Sequence, residues 1–527
     1  MTRYATIYEA RFAELENLTG VERNDAEALT RLAMWLTPVL RAVAIAAGPK
    51  GRACLLDAGG GVERAATALV IVRELAEERG APRLLTRVLR EILFETDRDL
   101  GDGTARVALL CGGLVAHGAR SVAAGIPACQ LADALARFAA RLSVELGRAT
   151  AEGRSDRDDI AGVAESAGAT SEVAQAIADM LALVGTEGAV EIVAGREAGL
   201  RLESGEGFLF DAVAASDAFA AADLDPAYIM VADERIDEFG PLVPLLEGFA
   251  TRGKALVVVA RDVSGPALHA LVRNHAENGL RTIALRPALA SQGAADALED
   301  LAIATGATLV TERLGTSVAT FRPGMLGRCA RFSFAGGRAV LHGPDGDPGA
   351  VAQRRAFLLG EADRQKFLTL DRDRLHMRAA RLRSSWARLH LGAATERETR
   401  TEVAGARRAL ASARSALIGG VLPGGGVGLV HGFDRLPFNQ ADLADVAISA
   451  GYQVLAGGLA ALVHGLATHP IPTRILAVSR PGRLGDRLGL QVDHLGSLDP
   501  VLLTRSVLDR AVSGAIALLR TGSTIHD

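Results

Sequence analysis

Apolar residues recur at helical spacing through most of the first 150 residues of the chain. Residues 25–36 and 69–93 place apolar side chains three or four positions apart, and residues 107–146 continue this pattern with alanine and leucine. Such spacing gives a helix one apolar face. Between the first two segments, residues 53–57 and the glycines that follow them predict a strand and a tight turn. We therefore expect this part of the chain to be mainly helical.

The pattern changes after about residue 185, where short runs rich in β-branched residues begin. Helical segments lie between several of these runs, which predicts a sheet flanked by helices. The turn-dense segment 343–349 marks the end of this region; residues 351–391 predict a charged helix, and alanine-rich helical sequence then returns. We therefore expect a middle α/β domain inserted into a helical domain built from both ends of the chain. The predicted strand runs are 189–193, 228–231, 255–260, 282–285 and 308–311.

Composition narrows the class of protein. A chain of 527 residues is too long for one core, so about three domains are expected. Only 4% of the residues are aromatic, so alanine, valine and leucine fill the interior. The 58 basic and 62 acidic residues give a net charge of −4, which does not predict nucleic-acid binding. Five arginines alternate with apolar residues and predict a solvated helix face: Arg372, Arg374, Arg378, Arg381 and Arg383.

Cysteine usage and hydropathy favour an intracellular, cytoplasmic chain. The four cysteines are scattered and have no metal-binding spacing. The N-terminus lacks an apolar signal region, and the nearest candidate for a membrane span, residues 416–430, contains six glycines and a proline. We therefore expect no association with a membrane. The cysteines are Cys54, Cys111, Cys129 and Cys329.

The sequence Gly-Asp-Gly-Thr at residues 101–104 precedes an apolar helix and allows two interpretations. Thr104 could cap the helix while the glycines turn the chain. Alternatively, the glycines and the helix-start N–H groups cradle phosphates while Asp102 holds Mg²⁺. The motif alone favours the cap.

Three other segments could likewise have either a structural role or a role in ligand binding. Residues 48–52 contain a glycine-flanked lysine, residues 422–427 contain three consecutive glycines, and Asp499 precedes a proline at a helix start. Each of these alone is more often structural, and His117 and His269 have no apparent partners. The sequence contains neither a P-loop motif nor a nucleophile triad.

The order of these motifs resembles that of the group I chaperonins, the GroEL family, from about Leu32 to the C-terminus. The resemblance implies an equatorial domain at 1–148 and 383–527, an intermediate domain at 149–205 and 349–382, and an apical client-binding domain at 206–348. It also implies homo-oligomeric rings, possibly two stacked rings of seven, and a lid co-chaperonin. The motifs are Gly48-Pro-Lys-Gly-Arg, Gly101-Asp-Gly-Thr, Ala123-Ala-Gly, Asp371-Arg-Asp-Arg-Leu, Gly392-Ala-Ala-Thr, Pro423-Gly-Gly-Gly-Val, and Leu498-Asp-Pro with Thr504-Arg-Ser.

The resemblance implies a site for ATP and Mg²⁺. Asp102 matches the magnesium ligand of the family, and Asp371 matches the acid that orients the attacking water. The remaining nucleotide contacts match a phosphate-side turn, the start of the helix and a nucleoside-side loop. They are Gly48, Pro49, Lys50, Gly101, Gly103, Thr104, Gly424, Gly425 and Asp499.

Four positions depart from the family pattern in this site. Ala105 and Arg106 replace two threonines that face the phosphates, Thr67 replaces an acid near the γ-phosphate, and Ala46 replaces another threonine. Arg106 opposes the helix dipole unless an anion is present, so it could pair with a phosphate or occupy its place. We expect ATP binding with slow or absent hydrolysis.

The resemblance also places a client groove in the apical domain. Its apolar positions lie at helical spacing and form one face, although some of them could simply fill the domain core. Ala214, Ala218 and Arg273 replace two tyrosines and a valine of the family, which predicts a narrower, partly charged groove and fewer clients. The matched positions are Phe219, Val243, Leu246, Leu268 and Val272.

Two hypotheses for function follow. The first is a chaperonin-like protein that assists the folding or assembly of a restricted client, with weak ATPase activity. The second is a fully ATP-driven general folding chaperonin that works with a lid. A small-molecule α/β enzyme finds no support, because the sequence offers no nucleophile, metal cluster or dinucleotide fingerprint.

Overall fold

A computed structural model describes the chain in segments that together form two compact units. The first unit comprises Met1–Asp179, Ala194–Leu200 and Leu391–Asp527, and the second comprises Met180–Val193 and Arg201–His390. The described residues are 21–23, 26–48, 51–52, 54–57, 62–65, 67–75, 81–149, 156–185, 188–195, 197–277, 279–289, 292–364, 369–383, 385–437, 444–466, 484–485, 497–521 and 523–525.

The helices and strands are numbered here in chain order. The helices are α1 Ala26–Ala46, α2 Ala68–Leu75, α3 Ala81–Leu100, α4 Thr104–Ala123, α5 Ala128–Ala149, α6 Arg157–Ser166, α7 Ser171–Val184, α8 Val243–Arg252, α9 Gly265–Glu277, α10 Gln292–Thr305, α11 Pro348–Arg364, α12 Thr369–Arg381, α13 Glu396–Gly419, α14 Val427–Asp434, α15 Val446–Leu466 and α16 Val501–Arg520. The strands are β1 Val21–Arg23, β2 Cys54–Asp57, β3 Val62–Ala65, β4 Ala189–Ala194, β5 Gly199–Glu206, β6 Phe208–Ala214, β7 Ala221–Leu224, β8 Ala227–Ile236, β9 Ala255–Val263, β10 Thr282–Pro287, β11 Gly327–Ala335, β12 Arg338–Pro344, β13 Ser385–Gly392, β14 Val421–Pro423, β15 Leu498–Pro500 and β16 Ser523–Ile525.

The first unit is a helical domain centred on α4. This helix packs against α1, α15 and α16, and its residues from Val107 to Val115 are buried. Small residues allow the close approach: a Cβ at Gly113 would lie only 2.7 Å from the Cβ of Ala461 on α15. The apolar faces that the sequence predicts therefore form one core. Short antiparallel pairs complete the unit, namely β1 with β16, β2 with β3 and β14 with β15.

The second unit contains a seven-stranded sheet in the order β12-β6-β10-β9-β8-β11-β7, and β12 also pairs with β11. The central strands β8, β9 and β10 are parallel. Residues 255–260 of β9 are all buried, as expected of a strand with both faces covered. The predicted α/β domain between two helical sequence regions is thereby confirmed.

Two local predictions in this unit are wrong. Residues 308–311 form only an isolated bridge between Val310 and Ala232, because the side chain of Thr316 accepts the Thr311 N–H and closes the chain into a turn. The predicted single charged helix over 351–391 is instead described as two helices, α11 ending at Arg364 and α12 ending at Arg381, and β13 follows them. This strand forms instead because its buried side chains, including Trp386 and Leu389, pack within a three-stranded sheet of order β4-β13-β5.

The predicted solvated arginine face of α12 is also wrong. Arg378 Nε lies 2.6 Å from Asp300 Oδ2, and Arg374 Nη2 lies 3.0 Å from Asp296 Oδ2, both on α10. Arg381 Nη2 lies 2.7 Å from carboxylate oxygens of both Glu191 and Asp211. The alternating arginines therefore meet acidic side chains of the same unit rather than water alone.

Two described helices are long and apolar enough to cross a membrane by length and composition alone. They are residues Leu29–Ala46 and α15. In the structure α15 is mostly buried and packs against α4 and α5. Core helices of globular domains have the same composition.

Candidate nucleotide site

The Gly-Asp-Gly-Thr segment forms the start of α4 without a side-chain cap. Gly103 is the N-cap residue, with φ 90°, and Thr104 is the first helical residue. The first described hydrogen bond of the helix runs from Val107 N to Gly103 O, so the N–H groups of Thr104, Ala105 and Arg106 have no acceptor within the helix. The interpretation of Thr104 as the cap is therefore wrong, and the helix start is available to an acceptor outside it.

Arg106 joins two carboxylates that are distant in sequence. Its Nη2 donates to Asp102 Oδ2 at 2.9 Å, and its Nη1 lies 2.7 Å from Asp499 Oδ1. Nη1 is buried at this ion pair with Asp499. Ser412 Oγ, on α13, donates to the same Asp102 oxygen at 2.6 Å. We call Asp102, Arg106, Ser412 and Asp499 the arginine cluster.

Burial sets the electrostatics of the arginine cluster. The side chains of Arg106, Asp102 and Asp499 are 13%, 16% and 8% exposed. Burial raises the pKa of the Asp499 carboxyl, and Arg106 opposes this shift. Burial alone would lower the pKa of Arg106, but the charges of Asp499 and Asp102 outweigh it and raise that pKa. The Arg106 guanidinium therefore stays charged, and its charge offsets the cost of burying the two carboxylates.

A cavity of about 690 Å³ opens beside the arginine cluster within the first unit. A cavity of this size is typical of small-molecule and nucleotide sites. Its wall includes the helix start, Gly48, Gly425, Asp499 and Arg408. Gly48 has φ 77° and Gly425 has φ 66°, conformations that favour glycine. The structure thus brings together Gly48, the helix start, Gly425 and Asp499, which the family resemblance assigns to one nucleotide site.

The remaining predicted contacts pack against neighbouring residues or lie outside the described residues, and their role in nucleotide binding stays a prediction. Gly424 N donates to Ser497 O at 2.7 Å, and a Cβ at Gly101 would lie 2.9 Å from the Cβ of Ala411. Both glycines therefore allow close packing of the loops around the cavity. Pro49 and Lys50 lie outside the described residues.

The departures from the family pattern also lie on the cavity wall. Ala46, Thr67 and Ala105 all line it. Thr67 Oγ1 accepts the Val70 N–H at 3.4 Å and Thr67 O accepts the Ile71 N–H at 3.1 Å, so this residue starts α2. The position where the family has an acid is therefore a helix cap facing the cavity.

Asp371 belongs to the second unit. It lies in the first turn of α12, and the placement of its side chain falls outside the described residues. Its role as the acid that orients water stays a prediction.

The arginine cluster does not fit a magnesium ion. Mg²⁺ needs oxygen ligands at about 2.0–2.1 Å in octahedral geometry. Asp102 Oδ2 instead already accepts hydrogen bonds from Arg106 and Ser412. Among the described residues, no group of three His, Cys, Asp or Glu side chains could hold a metal ion. A divalent cation at Asp102 would therefore share its carboxylate with the Arg106 guanidinium.

The predicted client-binding positions lie in the second unit and differ in exposure. Phe219 and Leu246 are 1% and 5% exposed and belong to the buried core. Val243 is half-buried, and Leu268 and Val272 on α9 are half-buried against that core. The alternative interpretation, that some of these residues fill the core, thus accounts for Phe219 and Leu246.

The Phe219 ring contacts α9 through His275, with ring centroids 5.5 Å apart. Arg273, on the same helix, pairs with Glu277 at 2.8 Å and is exposed. The accessible surface of α9 is therefore partly charged, and client binding at these positions stays a prediction.

Two residues of the site escaped the sequence analysis. Ser412 lies 310 positions from the carboxylate that it contacts, and Arg408 lies one helical turn before it on α13. Neither belongs to a motif. Their spacing of four places both residues on one side of the helix. This spacing is so common in helices that it does not identify a binding site.

Comparison with solved structures identifies the fold. The structure is similar to that of the chaperonin gp146 from the bacteriophage EL 2 (Pseudomonas aeruginosa), crystallised in the presence of ATP-BeFx. The TM-score is 0.59 for one crystal form and 0.54 for another, each at 19% sequence identity, covering 96% of this chain and 99% of gp146. No family model matches the sequence. The chain thus has the multidomain chaperonin fold that the order of its motifs predicted.

Proposed function

We propose that this protein is a chaperonin-like protein that binds non-native or assembling client protein in a ring and assists its folding or assembly. The single observation that carries the proposal is a chaperonin fold that extends over 96% of the chain, both units included. The five-segment division into equatorial, intermediate and apical domains is part of this proposal, as is a cytoplasmic location.

The cavity of the first unit binds a nucleotide of the ATP class in this proposal. Support comes from its volume, its glycine turns and the helix-start N–H groups, which suit phosphate. The chaperonin gp146 was crystallised in the presence of ATP-BeFx, which favours the same ligand class.

Hydrolysis is slow or lost in this proposal. Thr67 cannot act as an acid, and Ala105 cannot donate a hydrogen bond to a phosphate through its side chain. Removing one donor from a preorganised site typically lowers turnover by about 10²–10³. The purified chain should therefore release phosphate from ATP far more slowly than a general folding chaperonin does.

Phosphate release separates the two functional hypotheses. We expect slow turnover in the wild type, and Asp371→Ala should abolish what remains. Asp363→Ala, an acid near the end of α11 in the same unit, is the matched control. Rapid turnover that Asp371→Ala abolishes would favour the general folding chaperonin and overturn the slow-ATPase proposal.

Client binding is tested by suppression of aggregation. The protein is mixed with a chemically denatured enzyme and light scattering is followed. We expect suppression in the wild type and weaker suppression in the double variant Leu268→Ser/Val272→Ser, because both side chains are half-buried on α9. His269→Ser, exposed on the same helix, is the control. Equal scattering with and without the wild-type protein would overturn client binding.

A further inference from the structure

The arginine cluster places a cation at Asp102, where the resemblance to the group I chaperonins implies a metal ion. The Arg106 guanidinium contacts Asp102 at 2.9 Å and Asp499 at 2.7 Å. Asp102 precedes α4, and Asp499 lies on β15 opposite Leu422 of β14. One side chain therefore links two acids from opposite ends of the sequence, as a shared metal ion would.

The position of Arg106 is unfavourable unless these acids are present. It lies in the first turn of α4, where the helix dipole disfavours a positive charge. It is also buried, which disfavours any unpaired charge. The two carboxylates offset both effects, so the guanidinium and the acids depend on one another.

A divalent cation at Asp102 would share one carboxylate with this guanidinium. Asp102 Oδ2 accepts from Arg106 Nη2 and from Ser412 Oγ. A cation bound to either oxygen of this carboxylate would lie close to the guanidinium, and like charges repel strongly in a partly buried site.

We infer that Arg106 is a built-in cation that replaces the divalent metal ion at this site, so that the cavity takes a nucleotide without metal. This inference rests on the proposed nucleotide binding for its ligand, although the replacement of the metal can be measured without one. The guanidinium is suited to this role because Arg106 lines the cavity and a guanidinium carries five N–H donors, only part of which its contacts with Asp102 and Asp499 use.

The first experiment measures metal binding directly, with Mn²⁺ as the probe and electron paramagnetic resonance as the readout. We expect the wild-type chain to bind no Mn²⁺ that depends on Asp102, and Arg106→Ala to gain such a site. Asp102→Asn in the Arg106→Ala background should remove it. Arg510→Ala is the matched control, because it removes an arginine that pairs with Asp99 at 2.7 Å elsewhere in the first unit.

Folding of the variant is addressed by a second substitution. Arg106→Ala/Asp499→Asn leaves no unpaired charge at buried Asp499 and keeps the Asp102 carboxylate free for metal. Mn²⁺ binding in the wild type that is lost in Asp102→Asn would overturn the inference, whether or not the Arg106 variants fold.

The second experiment measures ATP affinity by calorimetry with Mg²⁺ or with EDTA. We expect less than about a threefold difference in Kd for the wild type, and at least about a tenfold weakening by EDTA for Arg106→Ala. A wild-type Kd that weakens about tenfold in EDTA overturns the inference and leaves nucleotide binding intact. If ATP does not bind in either buffer, the nucleotide proposal fails, and the metal-free nucleotide site fails with it. The Mn²⁺ result then decides only whether Arg106 replaces the metal.

Discussion

At the scale of single residues, the mutual dependence of Arg106 and Asp499 can be measured as stability. Arg106→Ala leaves the Asp499 carboxylate buried without its cation. Breaking a buried pair by removing one partner typically costs about 3–5 kcal/mol. We therefore expect a marked fall in the urea midpoint of Arg106→Ala, measured by circular dichroism.

A second substitution separates this electrostatic cost from lost packing. Adding Asp499→Asn to Arg106→Ala removes the unpaired charge and should recover much of the loss. Arg510→Ala removes a more exposed pair and should cost less than about 1 kcal/mol. Equal midpoints for Arg106→Ala and Arg510→Ala would contradict this account.

We expect His117, on α4, to make the stability of the first unit depend on pH. Burial, aided by the charge of Arg120, lowers its pKa from 6.5 to about 4. The folded state therefore resists protonation that the unfolded chain accepts. The stability that His117 contributes is present above about pH 6.5 and is lost as the pH falls toward 4.

The measurement compares urea midpoints of the wild type and His117→Gln between pH 7.5 and pH 4.5. The free energy of unfolding of the wild type should fall more steeply, by at most about 1.4 kcal/mol per pH unit from this one proton. Other groups titrate equally in both proteins and cancel in the difference. Parallel pH profiles would show that His117 is not the group responsible.

At the scale of secondary-structure elements, α12 is attached to the sheet domain by its arginines. Arg378 pairs with Asp300, which is 5% exposed, and with Asp296. Hydrogen bonds to charged groups contribute about 1.5–3 kcal/mol each. Arg378→Ala should therefore destabilise the second unit and speed amide exchange along α12.

Arg374→Ala is the control for this prediction because its side chain is 40% exposed and it contacts Asp296 at 3.0 Å. It should change stability by less than about 1 kcal/mol. Hydrogen exchange with mass spectrometry resolves the two effects on residues 369–381. Unchanged exchange in Arg378→Ala would show that the ion pairs do not hold the helix.

The sequence pattern predicts elements better than it predicts their contacts. The spacing of apolar residues predicts the helices within residues 25–146 and the parallel strands at 228–231, 255–260 and 282–285, because the burial of one or both faces of an element is visible in its own sequence. The pattern predicts solvent contact for the arginines of α12, because the acidic side chains with which they pair lie about 80–190 positions away in the sequence. The strand at 385–392 was missed because its apolar residues sit beside a charged helix and have no turn signal between them.

The candidate site shows the same division between local and distant information. The motif order located Asp102, Gly425 and Asp499 on one cavity, although each motif alone was ambiguous. The pattern could not show that Arg106 contacts two acids and that Ser412 supports one of them. Those contacts depend on how α4, α13 and β15 pack, which no local spacing encodes.

At the scale of the whole molecule, the fold and the candidate cavity are two separate observations. The chaperonin fold covers both compact units, and the candidate cavity lies entirely within the first of them. Fold alone does not assign chemistry, because sites diverge on conserved architectures. We therefore expect altered nucleotide chemistry because of the cavity residues that differ from the chaperonin pattern, namely Ala46, Thr67, Ala105 and Arg106.

Large apolar side chains on the surface of the first unit favour assembly into a ring. Met34 on α1 and Phe94 on α3 are 64% and 54% exposed in the single chain. Large exposed apolar side chains often mark surfaces that a partner covers. We expect the wild type to sediment and scatter as an assembly many times heavier than one 54.8 kDa chain.

Phe94→Glu should reduce this mass, because a charge placed in an apolar contact between subunits is costly to bury. Its urea midpoint at low concentration should change little, since the side chain is exposed in the chain itself. Leu183→Glu, at a residue that is 62% exposed on α7, controls for the added charge. A wild-type mass of 54.8 kDa in both low and high salt would contradict the ring, whereas an intact ring in Phe94→Glu would place the contact elsewhere.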